Sequence, residues 1–204
     1  MKVALTGGIA CGKSTFAKFL RELGIRLLDA DDVVHELEAA GGAAVPAIAA
    51  RFGPAVLAPD GAVDRPALAA VVFASPSARR DLEALLFPLV RARLLSFLSP
   101  APPPPAPGTL SLVVIPLLFE SHWEGDYDTI VAITSPLECQ IERMVRTRGY
   151  SRAHAEARLA AQMPVAEKAA RADFVVVNDS TQEHLRNEAR RLVAWLKERA
   201  KHEQ

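Results

Sequence analysis

Gly7-Gly8-Ile9-Ala10-Cys11-Gly12-Lys13-Ser14-Thr15 is the stretch that decides the fold. It satisfies GxxxxGK[ST], and its surroundings complete the pattern. Residues 3–6 form a short apolar run before it, and Phe16, Phe19, Leu20 and Leu23 recur at helical spacing after it. Strand, glycine loop, helix is the expected order. Glycines let the backbone curl so that successive N–H groups point inward, and the helix starting near Lys13 adds its positive end; together they cradle a polyphosphate. Gly8, Ile9, Ala10, Cys11, Gly12, Lys13, Ser14 and Thr15 are therefore the expected nucleotide-binding residues. Within them Lys13 is expected to reach the β and γ phosphates of a bound nucleotide, and Ser14 is the expected ligand of Mg²⁺. The bland alternative, a glycine-rich turn with a surface lysine, does not account for the full pattern in this context.

Working outward, Gly24 ends the helix, residues 25–28 read as a second short strand, and the acidic Asp29-Ala30-Asp31-Asp32 opens a helix that runs to about Glu38. Residues 43–98 are alanine-rich and helical, broken at 54–61 and at Ser75-Pro76, with no strand candidate. Residues 100–108, PAPPPPAPG, read as a semi-rigid polyproline loop, an SH3-type ligand being the other reading. Three nearly continuous apolar runs, 110–115, 128–134 and 174–177, suit strands covered on both faces. Helices are expected over 137–148, 151–162, 165–172 and 182–201. Five strands separated by helices imply a parallel, doubly wound α/β sheet. The chain reads as one domain over residues 1–204, with a helical subdomain at about 33–98 inserted between the second and third strands.

Half of the 204 residues are hydrophobic, enough to bury a core, and 24 Lys and Arg balance 24 Asp and Glu. That balance excludes a globally basic binder of nucleic acid or of a membrane surface. Cys11 and Cys139 lie far apart in no CxxC pattern, so neither a disulfide framework nor a structural zinc is expected. The first residues reach glycine too soon to form a signal-peptide core, and no apolar run approaches the roughly 18 residues of a membrane span. A cytoplasmic protein is expected.

Phosphate binding leaves several classes open. A GTPase needs a DxxG switch and an NKxD base reader, yet Asn178-Asp179 lacks the lysine and no DxxG follows the third strand. A motor or transporter ATPase needs an apolar strand ending in Asp, whereas residues 112–115 run into Pro116-Leu117-Leu118-Phe119-Glu120. A small-molecule kinase fits. Such an enzyme orients an acceptor hydroxyl, and a carboxylate in reach of it takes the proton. Asp29, Asp31 and Asp32 stand just past the second strand, where open α/β sheets place ligands. Acidic residues at a helix start also cap free N–H groups, so at least one is expected to be structural, and spacing alone does not choose among them. On the helix 137–148, Leu137, Ile141, Met144 and Val145 share one face and Arg143 points almost opposite. Its helical neighbours Cys139, Gln140, Arg146 and Thr147 include no carboxylate, which leaves solvent and a ligand as its two possible partners. Glu142 and Arg146 have the spacing of an ion pair. Arg148, Arg152 and Arg158 extend a basic segment around Gly149 that suits a mobile lid over about 143–162.

At this point the chain resembles the dephospho-CoA kinase family over residues 3–180. The matching elements are Ala4 to Thr15, Asp29-Ala30-Asp31 after Gly24-Ile25, Asp64-Arg65 with Leu68, Val72-Phe73, and Leu85-Leu86-Phe87-Pro88-Leu89. They continue with Ile115-Pro116-Leu117-Leu118-Phe119-Glu120, Gln140 to Arg143, Ala161-Gln162-Met163, and Ala172-Asp173 leading to Asn178. Only the phosphate loop is shared with many families; the order and spacing of the rest make the match specific. The resemblance implies a P-loop NTPase fold of the nucleoside-kinase-like kind, a three-layer sandwich with strand order 2-3-1-4-5, an acceptor-binding helical subdomain and a lid. It implies transfer of the γ-phosphate of ATP to the ribose 3′-hydroxyl of dephospho-CoA, the last step of coenzyme A synthesis. It also implies Asp31 as the acceptor-hydroxyl residue and Arg143 as the arginine near the phosphates, which with Lys13 make the expected catalytic set.

The chain departs from the family in four places. Phe87 stands where a histidine is usual, so no polar role transfers there. Cys11 replaces a common serine, and a thiol near a helix N-terminus is expected to have a lowered pKa and to be open to oxidation. No glycine follows Asn178, and the polyproline tract is an insertion. Two other functions stay in play: a nucleotide or sugar kinase of similar fold, and a nucleotide-dependent scaffold that recruits a partner through residues 100–108. The expected partners are ATP and dephospho-CoA alone, on a monomer or weak oligomer. Formal neutrality then means sorted charges, with the positive field confined to one cleft.

Overall fold

The computed structural model describes residues 1–99 and 109–202. In chain order the described residues form β1 (Val3–Gly7), α1 (Lys13–Glu22), β2 (Arg26–Asp29), α2 (Ala30–Glu38), α3 (Val45–Phe52), α4 (Arg65–Ala74) and α5 (Pro76–Leu98). They continue with β3 (Ser111–Val114), β4 (Thr129–Thr134), α6 (Leu137–Arg148), α7 (Arg152–Ala160), α8 (Val165–Ala170), β5 (Phe174–Val177) and α9 (Gln182–His202). The five strands make one sheet in the order β2-β3-β1-β4-β5, as expected. Val3 lies opposite Leu112 on one side and Thr129 on the other, and Val131 lies opposite Phe174, all in parallel register.

The apolar runs become strands because the sheet is covered on both faces. Every residue of β1 is buried. Phe16, Phe19 and Leu20 of α1 and Leu185, Leu192 and Leu196 of α9 share a core with Leu5, Val131 and Val176. Helix α8 packs against β4 and β1. Strand β5 is pinned by one side chain: Asp173 accepts from the Ile130 N–H at 2.8 Å, while its own N–H donates to the Ile130 carbonyl at 2.9 Å. The order leaves β1 in the centre of the sheet, where the chain passes from one half to the other, so the loop at its carboxyl end occupies the crevice in which such sheets bind ligands.

Strand β2 starts one residue later than its apolar pattern suggests. The Ile25 N–H is already used by the Leu20 carbonyl, closing the end of α1 together with Gly24, whose φ is +83°.

The chain divides into two compact units, Met1–Leu27 with Pro102–Gln204, and Leu28–Ala101. The second has its own core of Ala44, Ile48, Val56, Val63, Leu68 and Leu86. Asp64 caps α4 by accepting from the Ala67 N–H at 3.0 Å, and Ser75 caps α5 by accepting from Ala78 at 3.3 Å, with Pro76 in the first turn. The break at Ser75-Pro76 is thus a helix start. Pro88, by contrast, lies inside α5 without ending it. Leu57 and Val63 form an isolated bridge, and no strand lies in this unit beyond the end of β2 among the described residues. No helix among them is long and apolar enough to cross a membrane. The expected polyproline loop at 100–108 falls outside the described residues.

Candidate active site

Two glycines set the path of the loop. At Gly7 an added Cβ would lie 2.4 Å from the Ile133 carbonyl oxygen of the adjacent strand. Gly12, the N-cap of α1, has φ +93°, and a Cβ there would lie 2.3 Å from Asn178 Nδ2. A side chain at either point would push the loop off the strand ends. Ala10 sits in the left-handed region at φ +57° with no such exemption, a strain of the kind that surrounding contacts must hold. The Lys13 ammonium donates to the Gly7 and Gly8 carbonyls at 2.9 and 2.8 Å, so its charge stays at the loop. Ser14 is exposed in the first turn of α1, and Thr15 is half-buried.

Cys11 corrects one expectation. Its side chain is fully buried, and burial pushes the thiol up from its ordinary value, with Lys13 offsetting only part of that shift. The sulfur turns inward beneath the loop, 3.1 Å from where a Gly8 Cβ would stand.

Arg143 is half-buried and turned onto the strand ends rather than extended into solvent. Its Nη1 donates to the Ala10 carbonyl and to Ser135 Oγ, both at 3.1 Å, and Nη2 donates to the Asn178 carbonyl at 3.1 Å. All three acceptors are neutral, so no carboxylate spends the charge. The contact to Ala10 also braces the strained loop residue. Asn178, buried at the end of β5, donates through Nδ2 to the Cys11 carbonyl at 2.9 Å. A cavity of about 550 Å³ opens beside Arg143, lined also by Cys139, Glu142, Arg146, Asp179 and Ser180. Glu142 also lines this cavity with Arg146, and among the described residues the two form no ion pair despite their spacing.

The basic segment after α6 is more neutralised than its sequence suggests. Arg152 grips Glu138 at 2.7 and 3.0 Å and Glu156 at 2.8 Å, and its guanidinium holds the Glu138 carboxyl below the usual range. Arg158 lies over the Tyr150 ring at 5.0 Å and donates to His154. Among the described residues Arg146 and Arg148 are exposed without a carboxylate partner.

In the second unit the acidic run separates by role. Asp29 is the N-cap of α2, its carboxylate accepting from the Asp31 N–H at 3.0 Å. Asp31 and Asp32 follow in the first turn with exposed side chains. Of the groups that hold Arg143, the sequence reading assigned Asn178 no contact with it, and Ser135 escaped the reading. Their signal was position: Ser135 and Asn178 stand immediately past the carboxyl ends of β4 and β5.

The central sheet, the loop after β1 and the arginine on α6 define a P-loop kinase. Solved structures of the same fold include a protein from Thermus thermophilus, 36% identical with a TM-score of 0.80, aligned over 96% of this chain and 97% of that one. They also include a dephospho-CoA kinase from Campylobacter jejuni, 27% identical with a TM-score of 0.75, over 97% and 98%. A dephospho-CoA kinase of Anaeromyxobacter dehalogenans is 47% identical over 195 residues, 96% of this chain and 92% of that relative. The family model for dephospho-CoA kinase matches residues 1–184. The chain belongs to the dephospho-CoA kinase family, a family of transferases that use ATP to phosphorylate dephospho-CoA in the last step of coenzyme A synthesis, and the resemblance read from the sequence is borne out.

Proposed function

We propose that Lys13, Arg143 and Asp31 carry this reaction, with residues 8–15 holding ATP and the ribose 3′-hydroxyl of dephospho-CoA as the acceptor. The single supporting observation is the Arg143 guanidinium, hydrogen-bonded to the loop carbonyl of Ala10 and neutralised by no carboxylate. Loop N–H groups and Lys13 take the polyphosphate, and the adjoining cavity receives the rest of the nucleotide. As the bond from the 3′-oxygen to the γ-phosphorus forms and the bond to the β–γ bridging oxygen breaks, ADP leaves with the electron pair. Asp31 accepts the hydroxyl proton. Arg143 opposes the charge that spreads over the transferred group, a contribution of about 10³–10⁵ in kcat in related systems.

Ser14 fits a magnesium ligand, since its hydroxyl is exposed at the loop's end. Among the described residues no three His, Cys, Asp or Glu gather into a metal site. Phosphates and water would complete the shell, the usual habit of this hard ion. When bound, Mg²⁺ neutralises phosphate charge. The helical part at about 33–98 is the acceptor-binding subdomain and about 143–162 the lid. Free cysteines and the family's chemistry favour the cytoplasm, and a monomer or weak oligomer suffices.

The test is ADP release with ATP and Mg²⁺ across dephospho-CoA, nucleosides, nucleotides and sugars, with the product checked for a 3′-phosphate. Turnover on dephospho-CoA with a large kcat/KM advantage is expected. None on it, with clear turnover on another small alcohol, overturns the reading.

A further inference from the structure

We propose that Ser135 is a positioning residue for Arg143: with the Asn178 carbonyl it forms a two-oxygen dock that turns the guanidinium so that its Nε–Nη2 edge faces the transferring phosphoryl group. The inference rests on the reading of Arg143 given above. Ser135 lies between β4 and α6 and is 4% exposed. Its hydroxyl donates to the Asn178 carbonyl at 2.7 Å. That carbonyl can only accept, so the Ser135 proton is committed to it, and the hydroxyl lone pairs remain for Arg143 Nη1 at 3.1 Å. Nη2 meets the same Asn178 oxygen at 3.1 Å. Two terminal nitrogens therefore sit on two oxygens 2.7 Å apart, the end-on fork of a guanidinium. The other Nη1 proton goes to Ala10.

A guanidinium has five N–H donors. Three are used here, and no partner among the described residues takes the Nε–H or the second Nη2–H. Those two form the side-on edge, whose parallel donors match two oxygens of one phosphoryl group. The dock is rigid for a reason visible in the contacts. Asn178 is itself fixed, its N–H on the Thr134 carbonyl at 2.8 Å and its side chain on Cys11 at 2.9 Å, so the strand ends that hold the arginine also hold the loop. Ser135 thus acts through Arg143 and touches no reacting atom.

Ser135→Ala removes one of the two dock oxygens. The expected result is a fall in kcat of about 10²-fold, the scale of a misplaced catalytic group, with the Kd for ATP and the urea midpoint close to the parent's. Ser135→Thr keeps the hydroxyl and should restore kcat to within about threefold, while Ser135→Cys, which preserves packing but binds hydrogen weakly, should stay slow. Ser135→Ala combined with Arg143→Ala should be no slower than Arg143→Ala alone, because the two act as a unit. A Ser135→Ala or Ser135→Cys enzyme with normal kcat, or losses that multiply in the double variant, overturns the dock while leaving Arg143 in place. Arg143→Ala turning over normally overturns the reading of Arg143 itself. Should Ser135→Ala fail to fold, the comparison of Ser135→Cys with Ser135→Thr decides.

Discussion

Lys168 has no exposed side-chain surface, and its ammonium lies 2.8 Å from Glu120, which remains 22% exposed. The same ammonium donates to the Pro116 carbonyl at 2.8 Å, and Glu120 also accepts from the Met163 N–H at 3.0 Å. The pair joins the loop after β3 to α8 and to the end of the expected lid. Its two halves differ in how much water can reach them, and that asymmetry predicts their relative importance. Glu120→Ala strands a buried cation and should cost about 3–5 kcal/mol. Lys168→Met leaves a carboxylate that solvent can still reach and should cost less than half of that. The double variant should be more stable than the sum of the two losses predicts. Urea unfolding of the three variants measures the order, and a larger loss for Lys168→Met contradicts it.

Asp31 can be tested apart from the fold because Asp29 does the capping. Asp31→Asn leaves the Asp31 N–H on the Asp29 carboxylate, so α2 should keep its start. The expected result is a fall in kcat of about 10²–10⁴-fold with ATP affinity retained. Asp29→Ala should do the reverse, lowering stability by about 0.5–2 kcal/mol through the lost cap. Steady-state kinetics and urea midpoints separate the two, and near-normal turnover of Asp31→Asn removes that residue from the mechanism.

The architecture was legible because its signals are local. The loop motif, the apolar runs and the Gly24 stop each depend on a few consecutive residues, and they place β1, α1 and a parallel sheet, while the strand order came from the resemblance. The surroundings of Arg143 were less legible. Helical spacing showed that it leaves the apolar face of α6, but its acceptors are Ala10, Ser135 and Asn178, brought together by the sheet from distant parts of the chain. Glu120 and Lys168 are 48 residues apart, and nothing near either marks the other. The Asp29-Ala30-Asp31-Asp32 run gave candidates but no choice, since capping and catalysis favour the same residue type in the same place. Cys11 failed for a related reason: a linear motif does not say which way a loop side chain turns.

Its inward turn makes the two cysteines chemically unlike. Cys11 is buried with its thiol pushed up in pKa, and the thiolate is the reactive form. Cys139 is half-exposed at the cavity. A thiol reagent at neutral pH should therefore titrate one cysteine of the folded protein rapidly and the second only after unfolding. Cys139→Ser should abolish the rapid phase. Two rapid thiols in the folded chain would show that Cys11 is accessible.

Glu38 gives the fold a pH dependence of defined sign. It is 6% exposed and lies 2.9 Å from Arg65, which also contacts His35. Burial pushes its carboxyl above the ordinary 4.5, and the positive charge of Arg65, with a smaller contribution from His35, only partly offsets this. Between the unfolded and folded values, the folded chain therefore holds a proton that the unfolded chain has released. By linkage, Glu38 lowers stability as pH rises from about 4.5 through its folded value, and its effect is constant above that. Glu38→Gln has no proton to lose. The stability difference between Glu38→Gln and the parent, measured by urea unfolding at steps from pH 4 to 8, should shift in favour of the variant across that window and then level off. A difference that stays flat, or that moves toward the parent as pH rises, would mean that Arg65 outweighs burial at this site.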